Sequence, residues 1–130
     1  MAYEVVRDIR SRRNTGRLIL SIQGKRSRLV LWRETYEMIR QRLPNKTNFK
    51  SIRFLVDADQ PNKFVLEPMP NEVAPGAVKL NRSKYGNIVG CSYLLRRLSW
   101  AKDRTVRLEG RWISGMSPAA VEFDIRKRVG

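Results

Sequence analysis

Short stretches that alternate apolar and polar residues, parted by turn-forming residues, run through nearly all of this chain, and at two places a stretch of helical spacing interrupts them. Such a pattern favours local antiparallel pairing of short strands with helices packed against them. Residues 3–10 (YEVVRDIR) predict a strand, SRRNTG a turn, and RLILSIQ a second strand. GKRSR at 24–28 is a basic turn. Val30 and Leu31 continue an extended run, and Glu34 to Leu43 takes helical spacing through Tyr36, Ile39 and Leu43 before Pro44 ends it. SIRFLVDAD and FVLEPM then predict a hairpin closed by the turn residues DADQPNK.

The stretch PNEVAPG at 70–76 reads as an internal linker, and the half of the chain beyond it repeats the half before it. AVKLN predicts a strand, RSKYG a basic turn, NIVGC a strand, SYLLRRLSW a helix, TVRLEGRWI a strand, SGMSP a turn and AAVEFDI a strand. One constant offset lays Leu29 on Ile88, Val30 on Val89, Tyr36 on Leu95 and Ile39 on Leu98, and a slightly smaller one lays Ile52, Arg53 and Phe54 on Val106, Arg107 and Leu108. The expected fold is therefore α+β, mostly antiparallel β with two short-to-medium helices, built from two tandem β-β-α-β-β units sharing one core. The units span 17–69 and 77–125 of a single compact domain covering 1–130, joined by the linker at 70–76 and preceded by a basic strand or arm at 1–16.

Length and composition agree with one folded domain. At 130 residues and 42% apolar content the chain can bury a core without covalent staples. The lone cysteine, Cys91, has no partner for an intramolecular disulfide, and the sequence contains no histidine, so no Cys/His metal site and no cofactor are expected. The absence of histidine also counts against an enzyme. Asp57, Asp59, Glu67, Glu122 and Asp124 fall in no catalytic motif and read as turn residues and ion partners of the many arginines. No secretory signal and no membrane-length apolar run is present, which leads to the expectation of a cytoplasmic or nucleoid protein, or one of the host cytoplasm if viral.

The partner class comes from charge. There are 27 Lys and Arg against 12 Asp and Glu, a net charge of +15. A domain tolerates that self-repulsion most readily when a polyanion lies against it, so the expected partner is nucleic acid, DNA favoured over RNA, with no membrane; a homo-oligomer is compatible with this reading. The cations cluster in an arm (Arg7, Arg10, Arg12, Arg13, Arg17), in the turn at 25–28 (Lys25, Arg26, Arg28) and in its counterpart in the second half (Arg82, Lys84). Arginine predominates, and its planar fork holds phosphate or guanine bidentately. Trp32, Trp100, Trp112 and Tyr85 stand near basic residues, an interleaving that suits stacking on unpaired bases. Core packing is the plainer reading of any single Trp, whereas Tyr85 in its basic turn is the aromatic expected to be exposed.

VKLNRSKYGNIVGCSYLLRRLSW resembles the AbrB-like swapped-hairpin DNA-binding proteins through Gly86, Asn87, Ile88 and Val89, then Leu94, Leu95, Arg97 and Leu98. SRLVLWRETYEMI is similar, with Ser27 where that family usually has its turn glycine. Neither copy has the proline that commonly opens the family's helix. The resemblance implies a barrel completed by two units and DNA binding through Lys25, Arg26, Arg28, Arg82 and Lys84. GKRSRLVLWRETYEMIRQRL also resembles the end of a Whirly or positive-coactivator unit, which would imply a sheet that grips single-stranded DNA. The leading expectation is a non-enzymatic DNA-binding protein acting as a transcription regulator. The alternatives are a single-stranded DNA-binding protein of replication, recombination or transcription, and a basic structural or viral assembly protein.

Overall fold

A computed structural model describes residues 16–69, 75–84, 86–98, 104–113 and 119–129. The strand expected at 3–10, most of the linker and the turn at 114–118 lie outside the described residues. The elements in chain order are β1 (Leu18–Gln23), a single 3-10 turn (Gly24–Arg26), β2 (Arg28–Leu31), α1 (Arg33–Gln41), β3 (Ser51–Asp57), β4 (Gln60–Met69), β5 (Val78–Lys79), β6 (Asn81–Ser83), β7 (Gly86–Gly90), α2 (Ser92–Leu98), β8 (Thr105–Trp112) and β9 (Val121–Arg128).

Period-two alternation decides which side of each strand faces inward. Leu18, Leu20 and Ile22 of β1, Phe64 and Leu66 of β4, Val106 and Leu108 of β8, and Val121 and Phe123 of β9 are all buried and belong to one apolar cluster, which also takes in Tyr36 and Ile39 of α1 and Leu94 and Leu95 of α2. The Phe64 and Phe123 rings stack at 5.5 Å where β4 pairs with β9. Gly110 makes room for that centre, because a Cβ there would stand 2.5 Å from Val121 Cγ1 and 2.8 Å from the Phe123 ring.

The strands of the described residues form one antiparallel sheet in the order β5-β3-β4-β9-β8-β1-β2-β7-β6. The two ends of that order are neighbours in the chain, parted only by Leu80. Val78 and Lys79 pair with β3, and Asn81 to Ser83 pair with β7, so residues 78–83 bring the sheet round nearly into a barrel. The Leu80 N–H continues the β3 side by donating to the Lys50 carbonyl at 2.8 Å.

The structure shifts several expected boundaries. The β3–β4 reversal is tighter than DADQPNK suggests: Asp57 Oδ1 accepts the Asp59 N–H at 2.9 Å, an Asx turn that frees Gln60 to Lys63 to extend β4. Arg82 and Ser83 lie in β6 and not in the turn, because they pair with Asn87 and Gly86. Cys91 leaves the strand and gives its N–H to the Ser27 carbonyl at 2.8 Å.

Two hydroxyl groups fasten α1. β2 stops at Leu31, opposite Leu20, and beyond it Thr35 Oγ1 takes over the pairing role, accepting from the Ile19 N–H and donating to the Ile19 carbonyl at 2.7 Å each. Tyr36 does the same at Phe49, with its hydroxyl donating to the carbonyl at 2.8 Å and accepting from the N–H at 3.0 Å while the rings stack at 4.2 Å. Thr35→Val keeps the side-chain shape but orphans a buried donor and a buried acceptor. It is expected to destabilise the fold by about 2 kcal/mol, read as a lower urea midpoint at unchanged m-value.

Candidate nucleic-acid interface

The basic turn between β1 and β2 is held by backbone geometry, which leaves its side chains outside. Ser27 adopts a left-handed conformation (φ 49°) and its N–H closes the 3-10 turn on the Gly24 carbonyl at 3.1 Å. The Gly24 N–H reaches the Arg104 carbonyl at 2.9 Å, which joins the turn to the start of β8. Lys25 and Arg26 are exposed at the tip. Arg28 begins β2 opposite Gln23, whose Oε1 accepts from the Arg28 Nε.

Pairing of β1 with β8 brings further groups to this face. Ser21 stands opposite Arg107 and Gln23 opposite Thr105. The Trp32 Nε1–H donates to Ser21 Oγ at 2.9 Å, and the Arg107 guanidinium lies 5.6 Å from the Trp32 ring centroid, within reach of a cation–π contact. Lys25, Arg26, Arg28, Arg104 and Arg107 thus converge, and segments 21–32 and 104–108 contain no Asp or Glu.

The other sequence-predicted cations lie elsewhere. Arg82 and Lys84 flank the β6–β7 turn beside the start of α1, where the Arg33 Nη2 donates to the Lys84 carbonyl at 3.0 Å. Arg82 lines a cleft of about 410 Å³ there with Arg33, Tyr36 and Asn87. Gly86, at φ 135°, is required at that turn because a Cβ would stand 2.6 Å from the Leu31 carbonyl oxygen. The β2–β7 ladder runs from Arg28 opposite Gly90 to Leu31 opposite Asn87, so the two basic turns sit at opposite ends of four rungs, roughly 10 Å of strand. Arg7, Arg10, Arg12, Arg13, Tyr85 and Trp100 lie outside the described residues.

Arg17 stands at the far end of β1 from Lys25, roughly 20 Å away along the strand. Its guanidinium pairs with Glu109 at 2.6 Å, which holds the Glu109 carboxyl below its ordinary range. That end of the sheet carries a cleft of about 600 Å³ in which every carboxylate is engaged: Glu122 with Arg111 at 2.8 Å and Lys63 at 3.9 Å, Asp124 with Arg126 at 2.8 Å. Among the described residues, acids and bases interleave around β8 and β9, whereas residues 24–28 of the β1–β2 turn include three cations and no carboxylate. Trp112 belongs to the packed part of the molecule, with the Arg42 guanidinium 3.8 Å above its ring.

Cys91 is buried, which pushes its thiol up to about 11 and leaves it unreactive at neutral pH. Among the described residues no three His, Cys, Asp or Glu side chains gather as a metal site would require, and no helix is long and apolar enough to cross a membrane. Comparison with protein-family models, with curated proteins and with solved structures finds no match for this chain.

The sequence reading missed Arg104, Arg107 and Gln23 as members of this face. The alternation of TVRLE does place Arg107 on the outward side of its strand, but nothing local says that β8 lies beside β1. It also passed over Tyr93, which is 73% exposed.

The Asp124–Arg126 contact sets a pH dependence. Hydrogen bonds from the Arg126 guanidinium and backbone N–H lower the Asp124 carboxyl to about 2 from an ordinary 3.8. Its stabilising contribution is complete above 3.8 and is lost as pH falls through about 2. Asp124→Asn is expected to flatten the urea-midpoint profile between pH 4 and about 2 relative to the parent protein.

Proposed function

We propose that this chain is a non-enzymatic DNA-binding protein that docks the phosphate backbone on the β1–β2 turn and the adjoining ends of β2 and β8. The observation that carries the reading is the convergence of Lys25, Arg26, Arg28 and Arg107 around a turn whose own residues include no Asp or Glu, in a molecule whose described cations at the other end of the sheet are interleaved with carboxylates. Arginine forks and exposed lysine suit phosphate, and release of condensed counterions drives such binding. A small transcription regulator is the role that the swapped-hairpin resemblance adds. Single-stranded DNA binding is favoured as a second reading by Trp32, an aromatic ring beside Arg107 on the basic face.

The tandem origin of the fold is part of this proposal. Exchange of the two halves, β1 for the β5–β6 run, β2 for β7, β3 for β8 and β4 for β9, leaves the pairing order of the sheet unchanged. The sequence offset that carries Leu29 to Ile88 also carries Phe64 to Phe123, the pair stacked where β4 meets β9. Such a symmetric arrangement supports duplication of one β-β-α-β-β unit.

Titration of Trp fluorescence with duplex and single-stranded oligonucleotides at several salt concentrations tests the reading. Affinity is expected to fall steeply with salt. Joint replacement of Lys25, Arg26 and Arg28 by Ala should reduce the log–log slope by about 2–3, whereas Lys127→Ala at the opposite end should leave it within about one unit. Equal slopes for the parent and the triple variant, or binding to heparin as tight as to either DNA, would overturn the assignment.

A further inference from the structure

Beside the basic turn, a small apolar cleft opens between α2, β5 and the edge of β3. Phe54, Val56, Val78 and Leu94 line it, and Tyr93 stands at its mouth. Tyr93 is the one large apolar side chain among the described residues that is exposed to this degree, and its flat ring is left largely in water next to an apolar cleft. Gly76 and Gly90 also line the cleft, and no atom stands within 4 Å of where a Gly90 Cβ would be, so one wall is bare backbone. The cleft measures about 180 Å³. That is below the roughly 300–1,000 Å³ of pockets for drug-sized molecules, and suits a single planar ring system.

Its position says which ring. Gly90 pairs directly with Arg28, and Cys91 in the cleft wall donates its N–H to the Ser27 carbonyl at 2.8 Å. Paired residues of neighbouring antiparallel strands lie about 5 Å apart, so the cleft begins within one nucleotide's reach of Lys25, Arg26 and Arg28. Among the described residues, no charged side chain lines the cleft itself. A ligand that meets both surfaces carries flat apolar rings spaced along a polyanion. From this geometry we infer that the cleft receives one unpaired base of a single-stranded nucleic acid, stacked on Tyr93, while the neighbouring phosphates lie on the turn at 25–28. A base inside a duplex is covered on both faces by its neighbours and does not enter without being flipped out. The inference rests on the nucleic-acid reading above and goes further, since it fixes the strandedness of the ligand and assigns a residue that the cationic face does not include.

The probe is a short single-stranded oligonucleotide with one central 2-aminopurine, compared with the same strand made abasic at that position. The parent protein is expected to quench the 2-aminopurine and to bind the base-containing strand about 10-fold more tightly than the abasic one, a difference within the range of one base–aromatic stack. Tyr93→Ala should abolish both the quenching and the preference, and Tyr93→Phe should keep them. Gly90→Val, which adds bulk in open space, should weaken the base-containing strand selectively. Joint replacement of Lys25, Arg26 and Arg28 should weaken both strands alike, which separates the two proposals. If the abasic strand binds as well as the base-containing one while the triple variant still loses affinity, the base site is refuted and the phosphate reading stands. Failure to bind either strand while a duplex is bound refutes the base site alone, and failure to bind the duplex as well overturns both. A change of oligomeric state in Tyr93→Ala by sedimentation, without loss of the base preference, would show that a second copy occupies the cleft and would refute the base site.

Discussion

Residues 78–83 pair on both of their sides in turn, Val78 and Lys79 with β3 and Asn81 to Ser83 with β7, and the rest of the molecule is arranged around that closure. Without it β3 and β7 would present open edges, which invite pairing with other chains. With it the inward-facing residues of strands from both halves meet in one apolar cluster centred on the stacked Phe64 and Phe123 rings. A short run serves two neighbours because Leu80 divides it, so that its two parts keep separate registers.

Closure also accounts for the distribution of charge. A sheet that returns on itself covers one face entirely, so every Lys and Arg on its strands must lie outside, and neighbouring strands decide which cations meet. β8 lies between β9 and β1. Toward the Trp112 end of β8, Arg111 meets Glu122 of β9 and Glu109 meets Arg17 beside β1; toward the Thr105 end, Arg107 stands opposite Ser21 and near the Trp32 ring. One strand thus has an end where acids and bases interleave and an end that carries Arg107. A net charge of +15 becomes a directional surface, which is the property that a docking site for a polyanion needs.

Much of the element order was legible in the sequence. RLILSIQ, SIRFLVD and TVRLEGRW were legible as strands, and the helical spacing of Tyr36 and Ile39 fits the buried side of α1. The boundaries that moved did so where a tertiary partner decided them. Gln60 to Lys63 joined β4 once an Asx turn had reversed the chain, and Arg82 became a strand residue because Asn87 faces it. Thr35 gave no local sign that its hydroxyl would replace a strand partner at Ile19. The turn at 25–28 was visible as a run of basic residues. Arg104 and Arg107, more than seventy residues further on, were not visible as its companions.

Taken alone, the sequence determined what is written in near-neighbour periodicity and in totals: a mostly antiparallel fold with two helices, the inward side of several strands, and a surplus of cations. The tertiary structure alone decided which strands lie side by side, that Arg17 stands with Glu109 away from the basic turn, and that Tyr93 is left exposed beside an apolar cleft. The physical reason is that a strand's alternation encodes its two faces but not its neighbours. Neighbours are chosen by the closure of the whole sheet, and they are what turns separate basic residues into one surface.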